Sequence, residues 1–247
     1  MRTVLVTGGA KRLGAAIVRR LAAGGWHVVI HYGTSADEAE ALALEVGAAG
    51  TVAGDLSHTG ALADLWTRAC EVAGESIRAL VNSASLFEYD RPEVVDHMLA
   101  ARLYAVNCIA PNMLASALAE QGEGGAVVNL LDQKLANPNP DFFSYTLSKA
   151  ALAEATTLLA QAFAPAVRVN AVAPGLTLPS GDQSAAEFDR VARANLLERP
   201  VGAEAVADGV AYLLGAQSVT GQTLFVDCGQ RFMKRDGDVM FEGQSRG

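Results

Sequence analysis

The sequence predicts a doubly wound α/β fold, a single domain built on a parallel sheet of about seven strands with helices on both faces. Three observations support this prediction. Short β-branched segments alternate with longer segments rich in alanine and leucine, which is the order of βαβ crossovers. The β-branched segments are continuously apolar, as strands are when helices cover both faces of a sheet. No linker or change of composition divides the chain, so we expect residues 1–247 to form one domain.

The predicted strands are short apolar segments bounded by glycines or polar residues. The first has the sequence RTVLVT and the second HVVIHY, and both are rich in the β-branched residues that strands favour. The seven segments are residues 2–7, His27–Tyr32, 50–54, 77–82, 126–131, 166–171 and 222–226.

The segments between these strands have helical periodicity. In the first of them Leu13, Ile17 and Leu21 recur every four residues and share one face. Ser35, followed three residues later by Glu38, predicts a capping box at the start of the second. The predicted helices are residues 11–23, 35–46, 57–72, 92–121 with a break near Ala100, Phe143–Phe163, 185–197 and 203–214. This order of elements is typical of a Rossmann-type domain.

Composition excludes several classes of protein. Hydrophobic residues make up 51% and charged residues 19% of the chain, which excludes an intrinsically disordered protein. The net charge of -8 argues against a general nucleic-acid binder, which must neutralise phosphates. Three cysteines without a close pair indicate free thiols, and the histidines lack metal-ligand spacing. We therefore expect a cytoplasmic protein with no metal, no secretory signal and no membrane span.

A glycine-rich turn lies between the first strand and the first helix. Glycines there let the backbone approach a dinucleotide pyrophosphate, whose charge the helix N-terminus favours. A glycine cluster that merely closes a βα loop is the alternative, as is a solvated arginine in that loop. The predicted cofactor contacts of this turn are Gly8, Lys11, Arg12, Leu13 and Gly14.

The end of the second strand distinguishes between the two nicotinamide cofactors. An NAD site places a carboxylate there to hold the ribose 2′-hydroxyl, but this sequence has His31, Tyr32 and, slightly later, Ser35. Together with Arg12 these residues favour the 2′-phosphate of NADPH. Two carboxylates a few residues further on, in the segment ADE, argue against this prediction. An ordinary half-buried strand histidine is the alternative for His31.

Tyr145 and Lys149 lie four residues apart near the start of a strongly helical segment, so they share one helix face. Hydride transfer leaves an anion that must be protonated, and a free phenol, with a pKa of about 10, is a poor donor near neutral pH. A neighbouring ammonium stabilises the phenolate and so lowers that pKa. The spacing alone is common and also fits a surface helix pair. Its position after a strand ending in Asp132 favours a catalytic pair.

Over residues 2–229 the sequence resembles the short-chain dehydrogenases/reductases. The resemblance rests on the TGxxxxxG turn, the NSAS segment after the fourth strand, Asn107, the Tyr145/Lys149 pair and Pro174-Gly175. Later segments, VTG and VDCG, match the family's C-terminal signature. The resemblance implies further cofactor contacts and a water held by Asn107 that relays protons to Lys149. These implied cofactor contacts are Asp55, Leu56, Asn82, Ser83, Ala84, Tyr145, Lys149, Pro174, Gly175 and Leu176.

Three departures from the family pattern indicate a subgroup of the family. Asp132 stands where most members have serine, Arg12 replaces the middle glycine of the turn, and Phe87 follows the NSAS segment. This combination resembles the pteridine reductases, including bacterial dihydropteridine-type reductases. That resemblance implies a pterin stacked on Phe87 and a proton delivered by Asp132 with Tyr145. The implied substrate contacts are Arg12, Ser85, Phe87, Asp132 and Tyr145.

The residues themselves support a pterin and leave alternatives open. A carboxyl accepts hydrogen bonds from ring N–H groups, and Phe87 offers a flat face to an aromatic ligand. Alternatively, Phe87 is a plain part of the pocket wall. Asp132 is then either a substitution without a chemical role or part of a local charged turn. These alternatives fit a carbonyl reductase that acts on an oxoacyl thioester or a sugar. A non-catalytic NADP(H) sensor is a third class, against which the intact Tyr145/Lys149 pair argues.

Several regions carry weaker expectations. Phe142, Phe143 and residues 176–178 are expected to border the pocket, and residues 176–189 form the candidate lid. The polar tail, residues 231–247, is expected either to be flexible or to lie at a subunit interface. The family resemblance implies a homo-oligomer, either a tetramer or a dimer.

Overall fold

A computed structural model of the chain describes residues 2–179 and 185–233. Its seven strands form one sheet, in the order β3-β2-β1-β4-β5-β6-β7. Every neighbouring pair runs parallel, with Val4 opposite Val28 on one side of β1 and opposite Ala79 on the other. The predicted parallel sheet of about seven strands is confirmed. The strands are β1 Thr3–Thr7, β2 His27–Tyr32, β3 Gly50–Ala53, β4 Ala79–Asn82, β5 Gly125–Leu130, β6 Val167–Pro174 and β7 Thr223–Val226.

Two layers of helices cover the sheet. Alternation along a strand decides which side chain meets which layer. Val4 and Val6 of β1 pack with the apolar faces of α1, α2 and α8, whereas Leu5 packs with those of α3, α5 and α6. The helices are α1 Arg12–Ala23, α2 Ala36–Val46, α3 Leu62–Ala73, α4 His97–Tyr104, α5 Ala110–Glu120, α6 Phe143–Phe163, α7 Ala185–Ala192 and α8 Ala203–Gly215.

The strand order places a crevice above β1. The chain proceeds from β1 to β2 on one side, and it later returns to β4 on the other side. The loops after β1 and β4 therefore diverge at the carboxyl ends of these strands, where doubly wound sheets bind their ligands.

Some predicted helix boundaries were wrong for identifiable reasons. The long helix begins at His97 instead of residue 92, because the Asp96 side chain accepts the backbone N–H groups of Met98 and Leu99. A 3-10 turn, Thr59–Ala61, precedes α3, which therefore starts later than residue 57. The helix predicted to end at residue 197 ends at Ala192.

The predicted break near Ala100 lies elsewhere. The irregularity is a π-helical segment, Ala105–Ile109, which joins α4 to α5. The predicted capping box at α2 was also wrong. Ser35 occupies the N-cap position without a side-chain hydrogen bond among the described residues, and Glu38 pairs with Lys11 instead, at 2.6 Å.

None of the helices in the described ranges, 2–179 and 185–233, combines the length and the apolar character that a bilayer crossing needs. The three cysteines are free thiols.

Candidate active site

A cavity of about 490 Å³ opens at the carboxyl ends of β1, β4, β5 and β6. Residues from five separate parts of the sequence line it, and the sequence motifs predicted that these parts lie together. The predicted site residues that line it are Gly8, Lys11, Arg12, Leu13, Gly14, Ser83, Ala84, Ser85, Phe87, Asp132, Tyr145, Lys149, Pro174, Gly175 and Leu176.

The glycine turn is packed too closely for side chains. Gly8 has a φ of +60°, and a Cβ placed on it would lie 2.8 Å from the Cα of Ala84. A Cβ on Gly14 would lie 2.1 Å from the carbonyl oxygen of Gly8. The first turn of α1 also lacks an acidic residue. This cradle of backbone N–H groups at a helix start fits a dinucleotide pyrophosphate.

The buried His31 side chain forms a hydrogen bond with this turn and does not line the cavity. Its Nδ1 accepts the N–H of Gly8, and its Nε2 lies 3.1 Å from the carbonyl oxygen of Gly54, to which it donates. Burial lowers the pKa of His31 to about 4, so the ring is neutral at physiological pH. The prediction that His31 contacts a 2′-phosphate needs correction, because backbone groups occupy both ring nitrogens.

The other residues predicted on the adenine side lie outside the cavity: Tyr32, Ser35, Asp55 and Leu56. Asp55 accepts the backbone N–H and the hydroxyl of Ser57, and these bonds lower the pKa of its carboxyl. Lys11 forms an ion pair with Glu38, one of the two carboxylates that argued against NADPH. This pairing offsets the charge of Glu38 next to the glycine turn.

Tyr145 and Asp132 are in direct contact. The Tyr145 hydroxyl donates to Oδ2 of Asp132 at 2.8 Å, while Oδ1 of Asp132 accepts the backbone N–H of Lys134 at 2.8 Å. The second bond caps a 3-10 turn, Gln133–Ala136. Burial is the main reason that the pKa of Asp132 is raised. Tyr145 and Asp132 thus form a hydrogen-bonded pair on the cavity wall.

Lys149 is buried one turn along α6 from Tyr145. Its ammonium donates to the carbonyl oxygen of Leu130 at 2.7 Å and lies 5.9 Å from the centre of the Tyr145 ring. Burial lowers the pKa of Lys149 to about 8, and the nearby Asp132 opposes this effect. The ammonium form therefore predominates at neutral pH and places a positive charge beside the phenol.

Phe87 lines the cavity with 40% of its surface exposed. Phe142 stacks on it, with ring centres 4.1 Å apart and an angle of 16° between the planes. The Tyr145 ring meets Phe87 edge-on at 4.7 Å. The expectation that Phe142 and Phe143 border the pocket was wrong: neither lines the cavity, and Phe142 is buried behind Phe87.

Two predicted asparagines point into the protein and not into the cavity. The Asn107 side chain donates to the carbonyl oxygen of Leu86 and to Ser148 Oγ, and it accepts from Leu86 N–H and Ser85 Oγ. It thus holds the loop after β4, and the proton relay stays a prediction. Asn82 is buried and donates to Asn129 at 2.8 Å, so its predicted direct contact with the cofactor is not supported by this geometry.

The loop after β6 contributes the far wall of the cavity, including Leu176, Thr177 and Leu178. The Arg12 guanidinium donates to the carbonyl oxygen of Pro179 at 2.6 Å, which joins the glycine turn to this loop. Arg12 itself has a positive φ of 53°. Residues 180–184 of the candidate lid and residues 234–247 of the tail lie outside the described residues.

Sequence reasoning missed Asp90, whose side chain accepts the backbone N–H of Ser144 in the first turn of α6. An isolated aspartate in a loop carries no signal of this contact in the sequence. Within the described residues, no group of three or more histidine, cysteine or acidic side chains is arranged to hold a metal ion.

Comparison with known proteins decides the family. A family model described as Enoyl-(Acyl carrier protein) reductase, of the short-chain dehydrogenase/reductase type, matches residues 8–231. The chain belongs to the short-chain dehydrogenase/reductase family. The resemblance that the motifs indicated is confirmed, and so is the expected class of enzyme, an oxidoreductase.

Relatives within the short-chain dehydrogenases/reductases include two pterin enzymes. Pteridine reductase 1 of Leishmania tarentolae is 32% identical, covering 91% of this chain and 94% of the relative. Dihydromonapterin reductase of Enterobacter sp. (strain 638) is 29% identical, covering 93% and 96%. The crystal structure of FolM alternative dihydrofolate reductase 1 from Brucella canis, complexed with NADP, superposes with a TM-score of 0.90 at 41% identity, covering 96% of both chains.

Proposed function

We propose that this protein is an NADPH-dependent reductase that transfers hydride to a ring C=N bond of a pterin. The observation that carries the proposal is the hydrogen bond from Tyr145 to Asp132, at a position where most family members have serine. The names of the pterin relatives and of the NADP-bound structure support it.

The residues of the cavity fit the dinucleotide. Gly8 and Gly14 line the cavity and allow the close backbone packing of the turn, and Lys11 and Arg12 supply positive charge beside it. Lys11 is exposed, and Arg12 donates to a loop carbonyl, so both can turn toward a phosphate at small cost. When bound, the nicotinamide supplies the hydride.

Side chains of the protein supply the proton that the reduced ring takes up. Tyr145 donates its hydroxyl proton to the ring nitrogen next to the reduced carbon, and Lys149 stabilises the resulting phenolate through its positive charge. Burial raises the pKa of Asp132 above that of an exposed aspartate, which favours proton exchange between its carboxyl and the Tyr145 hydroxyl. Asp132 can then return a proton to Tyr145 along their hydrogen bond.

The pterin ring would lie against the exposed face of Phe87, whose other face is already covered by Phe142. An aromatic ligand there gains stacking with a ring that Phe142 already supports on its other face. Once ionised, Asp132 accepts from the N–H and amino groups of the same ring, which a serine hydroxyl would do less well.

A second candidate is a carbonyl reductase that acts on the ketone of a 3-oxoacyl thioester or on a sugar. The names of a Streptomyces violaceoruber relative, granaticin polyketide synthase putative ketoacyl reductase 2, and of a solved structure described as a putative betaketoacyl-ACP reductase favour the thioester. In that case Asp132 would serve only to cap the 3-10 turn, through its bond to Lys134 N–H.

The test is NADPH oxidation by the purified protein with a dihydropterin, beside a β-ketoacyl thioester and an NADH control. Turnover of the dihydropterin with NADPH supports the proposal. Turnover of the thioester alone would favour the second candidate. Tight NADPH binding without turnover of either would favour a sensor.

We further propose that the protein is a homo-oligomer of the cytoplasm. Free thiols are typical of a reducing compartment. Exposed apolar side chains support self-association: Ile109 at the end of the π-helical segment, Met113 on α5, and Leu147 and Leu158 on α6 are each at least 41% exposed.

A further inference from the structure

We propose that Asp90 is a positioning residue, which fastens the loop carrying Phe87 to the first turn of α6 and so sets the aromatic wall relative to Tyr145. The proposal rests on the proposed function for the reaction that it serves. The contacts that support it lie between residues 85–91 and residues 141–145, and none of them involves the cofactor.

The start of α6 has no cap of its own. Phe142 occupies the N-cap position in the left-handed conformation, with φ 53°, and makes no side-chain capping bond in the described structure. A helix start leaves N–H groups without intrahelical partners. Asp90 supplies partners from a distant loop: Oδ1 accepts the Ser144 N–H at 2.9 Å, and its backbone oxygen accepts the Phe143 N–H at 3.3 Å.

Charge and burial agree with this role. Asp90 is only 7% exposed, so its contact with the helix is shielded from water. Its other oxygen, Oδ2, is buried without a hydrogen-bond partner among the described residues. A carboxylate in this position is stabilised by the positive end of the α6 dipole.

The next residue holds the same segment at a second point. The Arg91 guanidinium donates to Oδ1 of Asp141 at 2.7 Å, and Asp141 is 1% exposed. The ammonium of Lys134 donates to the Asp141 backbone oxygen at 2.6 Å. Asp90 and Arg91 therefore hold both flanks of Phe142.

Phe142 transmits this attachment to the site. It stacks on Phe87 at 4.1 Å and meets Tyr89 edge-on at 5.2 Å, so the loop and the helix start share one aromatic cluster. Phe87 in turn contacts the ring of Tyr145. Releasing Asp90 frees the helix start to shift against Phe87, which changes the distance between the stacked substrate and the proton donor.

The test compares Asp90→Ala with Asp96→Ala. Asp96 is the matched control, since it caps α4 through Oδ1 at 2.8 Å but lies outside the aromatic cluster. We expect Asp90→Ala to lower kcat with dihydropterin about 10- to 100-fold, because a misplacement of about 1 Å at a reacting centre can cost as much as the upper figure. The dissociation constant for NADPH should stay unchanged, and Asp96→Ala should keep the wild-type kcat.

Two more variants separate positioning from folding. Asp90→Asn retains an oxygen acceptor for Ser144 and is expected to restore most of kcat. Should Asp90→Ala fail to fold, Asp90→Glu keeps the charge but displaces the acceptor, and it is expected to lower kcat as well. A kcat unchanged in the folded Asp90→Ala or Asp90→Glu variant, or lowered equally in Asp96→Ala, would overturn the proposal.

Amide hydrogen exchange gives a readout that needs no substrate. Exchange at Phe143 and Ser144 should be faster in Asp90→Ala than in the wild type, while the amides of α4 keep their rates. If the wild type reduces no dihydropterin, the proposed function fails, and unchanged exchange at Ser144 would separately overturn the attachment.

Discussion

Asp132 makes two hydrogen bonds that serve different purposes. Its bond to the Lys134 N–H builds a local turn, and its bond from the Tyr145 hydroxyl faces the cavity. The sequence left a structural turn and a catalytic acid as alternatives. The geometry makes them compatible, since each carboxylate oxygen has its own partner.

Phe87 provides the first prediction at the scale of single residues. Phe87→Ala is expected to raise KM for a dihydropterin about 10-fold, because it removes a stacking surface worth on the order of 1 kcal/mol together with its buried area. Steady-state kinetics with varied dihydropterin measures this, and NADPH affinity should not change. Phe232→Ala is the control, since that ring is 65% exposed and does not line the cavity. Equal KM values for Phe87→Ala and the wild type would contradict the stacking role.

His31 predicts how stability depends on pH. Its pKa is about 4 in the folded protein against 6.5 when exposed, so the unfolded chain binds more protons between these values. The free energy of unfolding should therefore fall as pH decreases from about 6.5 to about 4, by up to roughly 3 kcal/mol from this residue.

Denaturant titrations across this pH range test the prediction with two variants. His31→Gln should flatten the dependence, although it should lower stability near pH 7 by breaking the bonds to Gly8 and Gly54. His58→Gln is the control, since the His58 side chain is 78% exposed. An unchanged slope in His31→Gln would show that another group causes the acid sensitivity.

At the scale of elements, the β1–α1 turn is the most constrained part of the site. Gly14→Ala is expected to weaken NADPH binding at least about 10-fold, because the new Cβ would displace the Gly8 carbonyl and distort the cradle. Fluorescence titration with NADPH measures the affinity. Gly215→Ala is the matched control, since a Cβ there would meet no atom within 4 Å. Equal affinities in both variants would contradict the assignment of this turn to the pyrophosphate.

The success of sequence prediction also differs between elements. The bounds of α6 were predicted correctly, because its apolar periodicity is uninterrupted from Phe143 to Phe163. The π-helical segment was not predicted at its position; Asn107, which lies within it, makes side-chain hydrogen bonds to Leu86 and Ser148, which are distant in sequence. Local sequence does not encode contacts of that range.

The same distinction applies to the site. Glycine spacing and the Tyr145/Lys149 pair identified the cavity, because neighbouring strand ends must meet in a parallel sheet. The direction of individual side chains was less predictable: His31 and Asn82 are turned inward by backbone and amide partners. Asp90 was missed altogether, because its partner at Ser144 lies 54 residues away.

At the scale of the whole molecule, the exposed apolar faces of α5 and α6 predict self-association. Leu147 and Leu158 are eleven residues, or about three turns, apart and share a face of α6. We expect the native mass to be two or four times 25.7 kDa by light scattering. Leu158→Lys should lower this mass, whereas Leu44→Lys, at an 86% exposed position on α2, should not. A wild type that runs as a monomer would contradict the oligomer.

We propose that the Asp132–Tyr145 pair suits this cavity to pterins. The most direct measurement is the ratio of kcat/KM for a dihydropterin to that for a β-ketoacyl thioester, in the wild type and in Asp132→Ser. We expect the wild type to prefer the dihydropterin and Asp132→Ser to lower this ratio about 100-fold, the usual scale of a lost acid–base group. A wild type that prefers the thioester, or an Asp132→Ser variant with an unchanged ratio, would contradict it.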